Sequence, residues 1–176
     1  LAHIQKQDPY VAIQLELQRA FGLRMKEAAL LRPHQADKGA YLSVNWGTKG
    51  GRDRTVPIQS DYQREVLVRA KSCLPHGHSS MIPATYNLKQ WRNHYYYICH
   101  ENGISRKDGI TSHGLRHERL NEIYQEITGQ ASPIKRADDG RVSIDSELDE
   151  IARQEIAETA GHCRASISAA YVGSAK

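Results

Sequence analysis

One stretch of the chain is patterned for sheet, and the sequence on both sides of it is patterned for helix. In Tyr41-Leu42-Ser43-Val44-Asn45-Trp46 apolar and polar residues alternate, the period that buries one face of a strand. Gly47 to Arg52 reads as a glycine-rich turn, and Arg54-Thr55-Val56-Pro57-Ile58 as a second short strand. Pro57 lacks an N–H and marks an edge or an end. The prediction is a β-hairpin with a basic, mobile tip. The chain has no Rossmann glycine pattern and no P-loop. The run Gly47-Thr48-Lys49-Gly50-Gly51 also joins strand to strand, whereas a nucleotide-cradling glycine loop leads from strand to helix.

Helix signals punctuate the remainder. Asp8-Pro9 supplies a cap and a first helical residue, opening a helix to about Ala20 in which Val11, Ile13, Leu15, Leu17 and Phe21 mix two spacings. Gly22 stops it, and Leu23 to Leu31 forms a second short helix before Pro33. Ser60 and Gln63 make a capping box for a helix to about Cys73. Residues 76–85 read as a loop. Asn87 to about Glu101 is a helix carrying Trp91, Tyr95 and Ile98, with Gly103 as its stop. Tyr96 and Tyr97, beside Tyr95, are expected to pack into the core with it. Thr111 or Ser112 caps a helix with Leu115, Leu120, Ile123 and Ile127 on its apolar face, ending at Gly129. Residues 130–142 are polar and read as an inserted loop. Ser146-Glu147-Leu148-Asp149 opens the next helix, which stops at Gly161, and Ser166 caps a last short helix through Tyr171. The expected fold class is mainly α with a small antiparallel β-sheet.

The 176 residues are 39% apolar and 25% charged, enough to build a core, and no stretch of 18 apolar residues is present for a membrane span. No signal peptide is visible at Leu1-Ala2-His3, and the missing initiator Met suggests a piece of a longer protein. Cys73, Cys99 and Cys163 are odd in number and scattered. A disulfide framework is not expected, which suits a reducing cytoplasm. The formal net charge of +4 suits a polyanionic partner, although many enzymes without one are as basic.

Four places carry residues with chemical potential. Arg24 and Glu27 are three apart at the start of a short helix, as a surface ion pair or as an arginine aimed at an anion. Lys49 sits on the hairpin tip beside Arg52 and Arg54. His113 and Arg116, three apart, can face one site. His113 and His117 have metal-ligand spacing but lack an HExxH glutamate and an evident third ligand. His162 follows Gly161, and Tyr171 comes nine residues later. On one continuous helix that separation is about half a turn out of phase, so a break near Gly161 is needed to swing Tyr171 towards His162. Cys73, His76, His78, Cys99 and His100 fit no strong zinc pattern, and no metal or other cofactor is expected.

Taken in order, these residues form a set. Gly-Leu-Arg-x-x-Glu, a hairpin lysine, His-x-x-Arg, Gly-His and a later tyrosine resemble the catalytic domain of the tyrosine recombinases, the phage integrase family. The resemblance runs from about Val11 to Tyr171 and carries Arg24, Lys49, His113, Arg116, His162 and Tyr171 onto the family's functional positions, with Glu27 as the acidic residue after the first arginine. About 46 residues separate Arg116 from His162, where the family has some twenty-odd. An insertion at about 125–148 is therefore expected within a catalytic domain spanning 1–176. Ala160 stands where the family commonly has Leu. The family's amino-terminal core-binding domain has no counterpart here.

The resemblance implies metal- and ATP-independent strand transfer through a 3′-phosphotyrosine on Tyr171, for integration or excision of a phage or mobile element. It also implies double-stranded DNA at attachment sites as partner, a tetramer on DNA from a monomer in solution, and action in a bacterial cytoplasm. A free phenol titrates near pH 10, so about 4 kcal/mol separates it from phenolate at neutrality. A positioned base, His113 by the resemblance, reduces that cost. Arg24 and Arg116 can donate to the non-bridging oxygens with help from His162, and Lys49 is the candidate acid for the leaving 5′-oxygen. Lys26, Arg52, Arg54, Lys89, Arg92, Lys107 and Arg164 are candidate phosphate contacts. A type IB topoisomerase-like activity and a catalytically silent DNA-binding module are the alternatives.

Overall fold

The computed structural model describes residues 1–74, 80–136, 144–162 and 164–174. His76, His78 and Cys163 lie outside the described residues. The main helices are α1 (Ala2–Gln7), α2 (Pro9–Phe21), α3 (Met25–Leu30), α4 (Pro33–Ala36), α5 (Asp61–Ser72), α6 (Leu88–Glu101), α7 (Ser112–Thr128), α8 (Ser146–Thr159) and α9 (Ala169–Val172). Strands β1 (Tyr41–Val44) and β2 (Arg54–Pro57) form one antiparallel pair in the register Tyr41 to Pro57 and Val44 to Arg54. The chain is mainly α with a small antiparallel sheet, as its patterning predicts.

Helix α2 is the central element, packing on α1, α3, α5, α6 and α7. Asp8 caps it by accepting from Val11 N–H at 3.0 Å, and Gly22, at φ 62, closes it. Val11, Ala12, Ile13, Leu15, Leu17, Ala20 and Phe21 are all buried. Their mixed spacing thus reflects a helix enclosed nearly all round rather than one with a single wet face. Its two buried glutamines are paired, as burial requires. Gln14 donates to the Met81 carbonyl at 2.7 Å and accepts from the Trp91 indole at 3.0 Å, while Gln18 donates to the Tyr95 hydroxyl at 2.6 Å.

Two sequence expectations need correction. Tyr95 is buried, but Tyr96 and Tyr97 are 49% and 59% exposed. Successive helical residues turn by about 100°, so only Tyr95 shares the inward face of α6 with Trp91, Ile98 and Cys99. Ser166 does not cap the last helix. It lies inside a 3₁₀ turn, Ala165–Ser168, which runs directly into α9.

The region expected as an inserted loop is partly built into the fold. Helix α7 continues to Thr128, and Gly129 ends it at φ 70. The following strap, residues 130–136, holds the C-terminal end of the chain. Ile134 N–H donates to the Val172 carbonyl at 3.0 Å. Buried Ser132 donates to the Asn121 amide oxygen, and the Asn121 amide nitrogen donates to the Tyr171 carbonyl at 3.2 Å. From α8, Arg153 donates to the Gly173 carbonyl at 2.9 Å. Among the described residues, no helix is long and apolar enough to cross a membrane.

Candidate functional site

The site is assembled where the start of α3, the hairpin, the middle of α7 and the end of α8 meet. Glu27 is its hub. The Glu27 carboxylate is fully buried and accepts the Arg24 backbone N–H at 2.6 Å and the Arg24 guanidinium at 2.7 Å. Arg54, from the first position of β2, grips the same carboxylate with both terminal nitrogens, at 2.6 and 2.9 Å. Burial alone would raise the Glu27 pKa. The hydrogen bonds and charge of Arg54, with the contributions of Arg24, outweigh it and hold the carboxyl below its ordinary value.

A second hub is the carbonyl of Ala160, just past α8. It accepts from Arg24 at 2.8 Å and from Arg116 at 2.7 Å. Arg116 is completely buried and also donates to the Gly22 carbonyl. Burial, and then the charge of Arg24, pull its pKa below the ordinary arginine value. Arg116 thus connects the end of α2 to the end of α8.

Gly161 then turns the backbone at φ 70. A Cβ there would lie 3.2 Å from the Arg54 Cδ and 3.6 Å from an Arg24 nitrogen, so the turn also needs the small residue for space. After it, His162 Nε2 stands 3.5 Å from Arg24 and 3.1 Å from the Tyr171 hydroxyl. Arg116 donates to that hydroxyl at 3.4 Å, and its guanidinium lies 5.5 Å from the centre of the Tyr171 ring. Tyr171 is 7% exposed. The break after α8 therefore returns the tyrosine to the arginines, as the out-of-phase spacing requires.

Two open clefts flank Arg24. The larger, about 940 Å³, is lined by Arg24, Lys26, Lys89, Arg92, Tyr96 and His113 among others. The smaller, about 710 Å³, is lined by Arg24, Lys49, Arg52, Gly161, His162 and Arg164 among others. Lys49 is exposed, on a 3₁₀ turn at the hairpin tip. The hairpin reaches this position because Gly47 lies against α3, where a Cβ would come within 2.7 Å of the Lys26 carbonyl oxygen.

His113 is exposed at the start of α7. Its ring is 4.7 Å from that of His117, which is 4.8 Å from the Tyr171 ring. Desolvation, followed by the charges of Arg116 and Arg24, lowers the His113 pKa. Desolvation and then Arg24, Arg116, Lys49 and Arg54 do the same to His162. These imidazoles are biased towards the neutral form, the form that can accept a proton.

Arg24, Glu27, Arg116, His162 and Tyr171 are thus linked in one chain of contacts, with Lys49 and His113 on the rims. Of the seven candidate phosphate contacts, Lys26, Lys89, Arg92, Arg52 and Arg164 line the two clefts. Lys107 is exposed in the turn after α6 and lines neither. Arg54 is spent on Glu27 and on the Thr159 carbonyl, and its side chain is only 6% exposed. Sequence reasoning misses the contacts of Arg54 and the Ala160 carbonyl, and it weighs His117 only as a metal ligand, not as a neighbour of the Tyr171 ring. For His117 the i,i+4 relation to His113 was the available signal. A backbone carbonyl offers none.

In comparison with known families, a family model described as integrase matches residues 1–122. This segment contains Arg24, Glu27, Lys49, Arg54, His113 and Arg116, and it ends before His162 and Tyr171. Comparison with curated proteins finds no match. The family match takes in well over half of the 176 residues, and the chain belongs to the phage integrase family.

Proposed function

We propose that this domain breaks and rejoins DNA by attack of the Tyr171 hydroxyl on a phosphodiester. Membership of the integrase family supports a recombinase acting on DNA in general terms; the tyrosine mechanism is our reading of the site. One observation carries it. The Tyr171 hydroxyl lies between His162 Nε2 at 3.1 Å and an Arg116 nitrogen at 3.4 Å, and Arg116 shares a carbonyl with Arg24. Nucleophile, proton acceptor and two fixed cations therefore converge on one spot.

In the proposed step, the Tyr171 oxygen bonds to phosphorus and the bond from phosphorus to the 5′-oxygen breaks. A 3′-phosphotyrosine forms and a 5′-hydroxyl leaves. The phenolic proton passes to an imidazole: His162 is within reach, and His113 is the one the resemblance favours. Arg24 and Arg116 stabilise the charge that spreads over the non-bridging oxygens. Lys49 gives the departing oxygen its proton. A 5′-hydroxyl from a partner strand reverses the sequence, so the phosphoester bond energy is conserved. The proposed setting is site-specific integration or excision of a phage or mobile element, with four copies on DNA and single copies in solution.

The test is a nicked duplex carrying an attachment site from DNA flanking the gene, whose cleaved end diffuses away and traps the intermediate. A slower protein–DNA band on a denaturing gel, absent in Tyr171→Phe, is the expected result. DNA binding without a band for wild type would leave a silent binding module. Relaxation of a plasmid without any attachment site would mark a topoisomerase instead.

A further inference from the structure

Arg54 ties the base of the hairpin that carries Lys49 to the site. Its two terminal nitrogens take both oxygens of Glu27, at 2.6 and 2.9 Å, and its Nε donates to the Thr159 carbonyl at 2.7 Å. One guanidinium therefore spans three elements: β2, the first turn of α3 and the last turn of α8. Its stem also lies over Gly161, the residue that turns the backbone into His162. The tip itself, Lys49–Gly51, contains two glycines at positive φ and no buried residue. A glycine-rich tip has little stiffness of its own. Its placement depends on what fixes its base.

We propose that Arg54 is a positioning residue for Lys49, holding the base of the hairpin against α8 so that the lysine faces the anion site. This inference rests on the tyrosine-recombinase reading above. Its geometry differs from that of a phosphate contact, because every nitrogen of Arg54 already has a partner inside the protein. It also needs arginine specifically. A lysine keeps the charge but cannot hold a carboxylate in two places and a carbonyl in a third direction at once.

The test separates proton delivery from every other part of the reaction. Single-turnover cleavage is measured on an ordinary phosphodiester and on a duplex with sulfur in place of the 5′-bridging oxygen. A thiolate leaves without being protonated, so the sulfur substrate has no need of an acid. For R54K we expect cleavage of the ordinary substrate to fall 10- to 100-fold. On the sulfur substrate the rate stays within about 3-fold of wild type, and DNA affinity stays within about 2-fold. In a Lys49→Ala background, R54K should add less than about 3-fold, because residues acting through one another are not additive.

An equal loss on both substrates would overturn the proposal in favour of a general structural effect. A weakened affinity with a shallower salt dependence would overturn it in favour of a phosphate contact. If R54K does not fold, the double variant E27Q/R54Q removes the buried charge together with its partner. The same leaving-group comparison then decides, with a defect at least 10-fold larger on oxygen than on sulfur expected, and equal defects against. Absence of covalent product from wild type on either substrate would instead defeat the parent reading.

Discussion

Arg24 and Arg116 donate to the same carbonyl oxygen, that of Ala160, at 2.8 and 2.7 Å. Two cations would otherwise repel one another. A shared acceptor, with Glu27 behind it, holds them side by side within the protein alone. In a site built this way the cost of gathering positive charge is met during folding, not during reaction.

The two arginines should fail differently. Arg24 keeps 21% of its side chain exposed, whereas Arg116 is buried. Arg24→Ala is expected to slow cleavage about 10²–10³-fold with little loss of stability. Arg116→Ala should slow it at least as much. It also takes away the donor to the Gly22 carbonyl, at about 1–3 kcal/mol for an unsatisfied group, while the Ala160 carbonyl keeps Arg24. Single-turnover cleavage and urea unfolding on the same preparations check both halves.

Glu27→Ala should cost about 3–5 kcal/mol, the usual effect of leaving buried charges without a partner. Arg54 would then be an uncompensated buried cation. Removing both together, as in E27Q/R54Q, should recover much of that loss. Equilibrium denaturation of the two variants measures the difference.

Stability should fall as the pH falls through and below the ordinary histidine range. His113, His117 and His162 all have pKa values below their ordinary 6.5 in the folded protein, with burial the largest cause in each. Between each lowered value and 6.5 the unfolded chain binds more protons than the folded one, so stability rises with pH through that window and is flat above it. Cleavage should lose its rate on the same acid side, as the accepting imidazole becomes protonated. A Tm series from pH 8 down to pH 5, repeated with His162→Gln and His113→Gln, tests this. The variant whose rate loses the acid limb identifies the proton acceptor.

The basic side chains should sort by cleft. Lys89→Ala and Arg92→Ala, in the larger cleft beside Arg24, should each weaken DNA binding across sequences and reduce the salt slope by about 1. Lys107→Ala, which lines neither cleft, should change neither. Binding titrations at several salt concentrations read this directly.

Local chemistry was legible in the sequence because its cause is local. Asp8 before Pro9, Ser60 three before Gln63, and the glycines between the strands each act on backbone within a few residues, and each is found as read. The inward turn of Tyr171 was also legible, since nine residues cannot bring it to His162 along one helix. What could not be read depends on distant partners. Arg54 looked like a surface cation because nothing near it in sequence reveals that Glu27, in another element, will claim it. Tyr96 and Tyr97 looked like core because tyrosine is apolar enough to be either, and the phase of α6 was decided by Trp91, Tyr95 and Ile98. The central carbonyl of the site belongs to Ala160, whose side chain carries no chemistry at all.

The strap of residues 130–136 bears on how far Tyr171 can leave its own fold. Val172, Tyr171 and Gly173 each have their carbonyl held by the same chain, by Ile134, Asn121 and Arg153. Lending the tyrosine to a neighbour would require releasing all three and drawing a buried ring out of its own pocket. A copy that keeps them holds the Tyr171 hydroxyl beside its own Arg116 and His162.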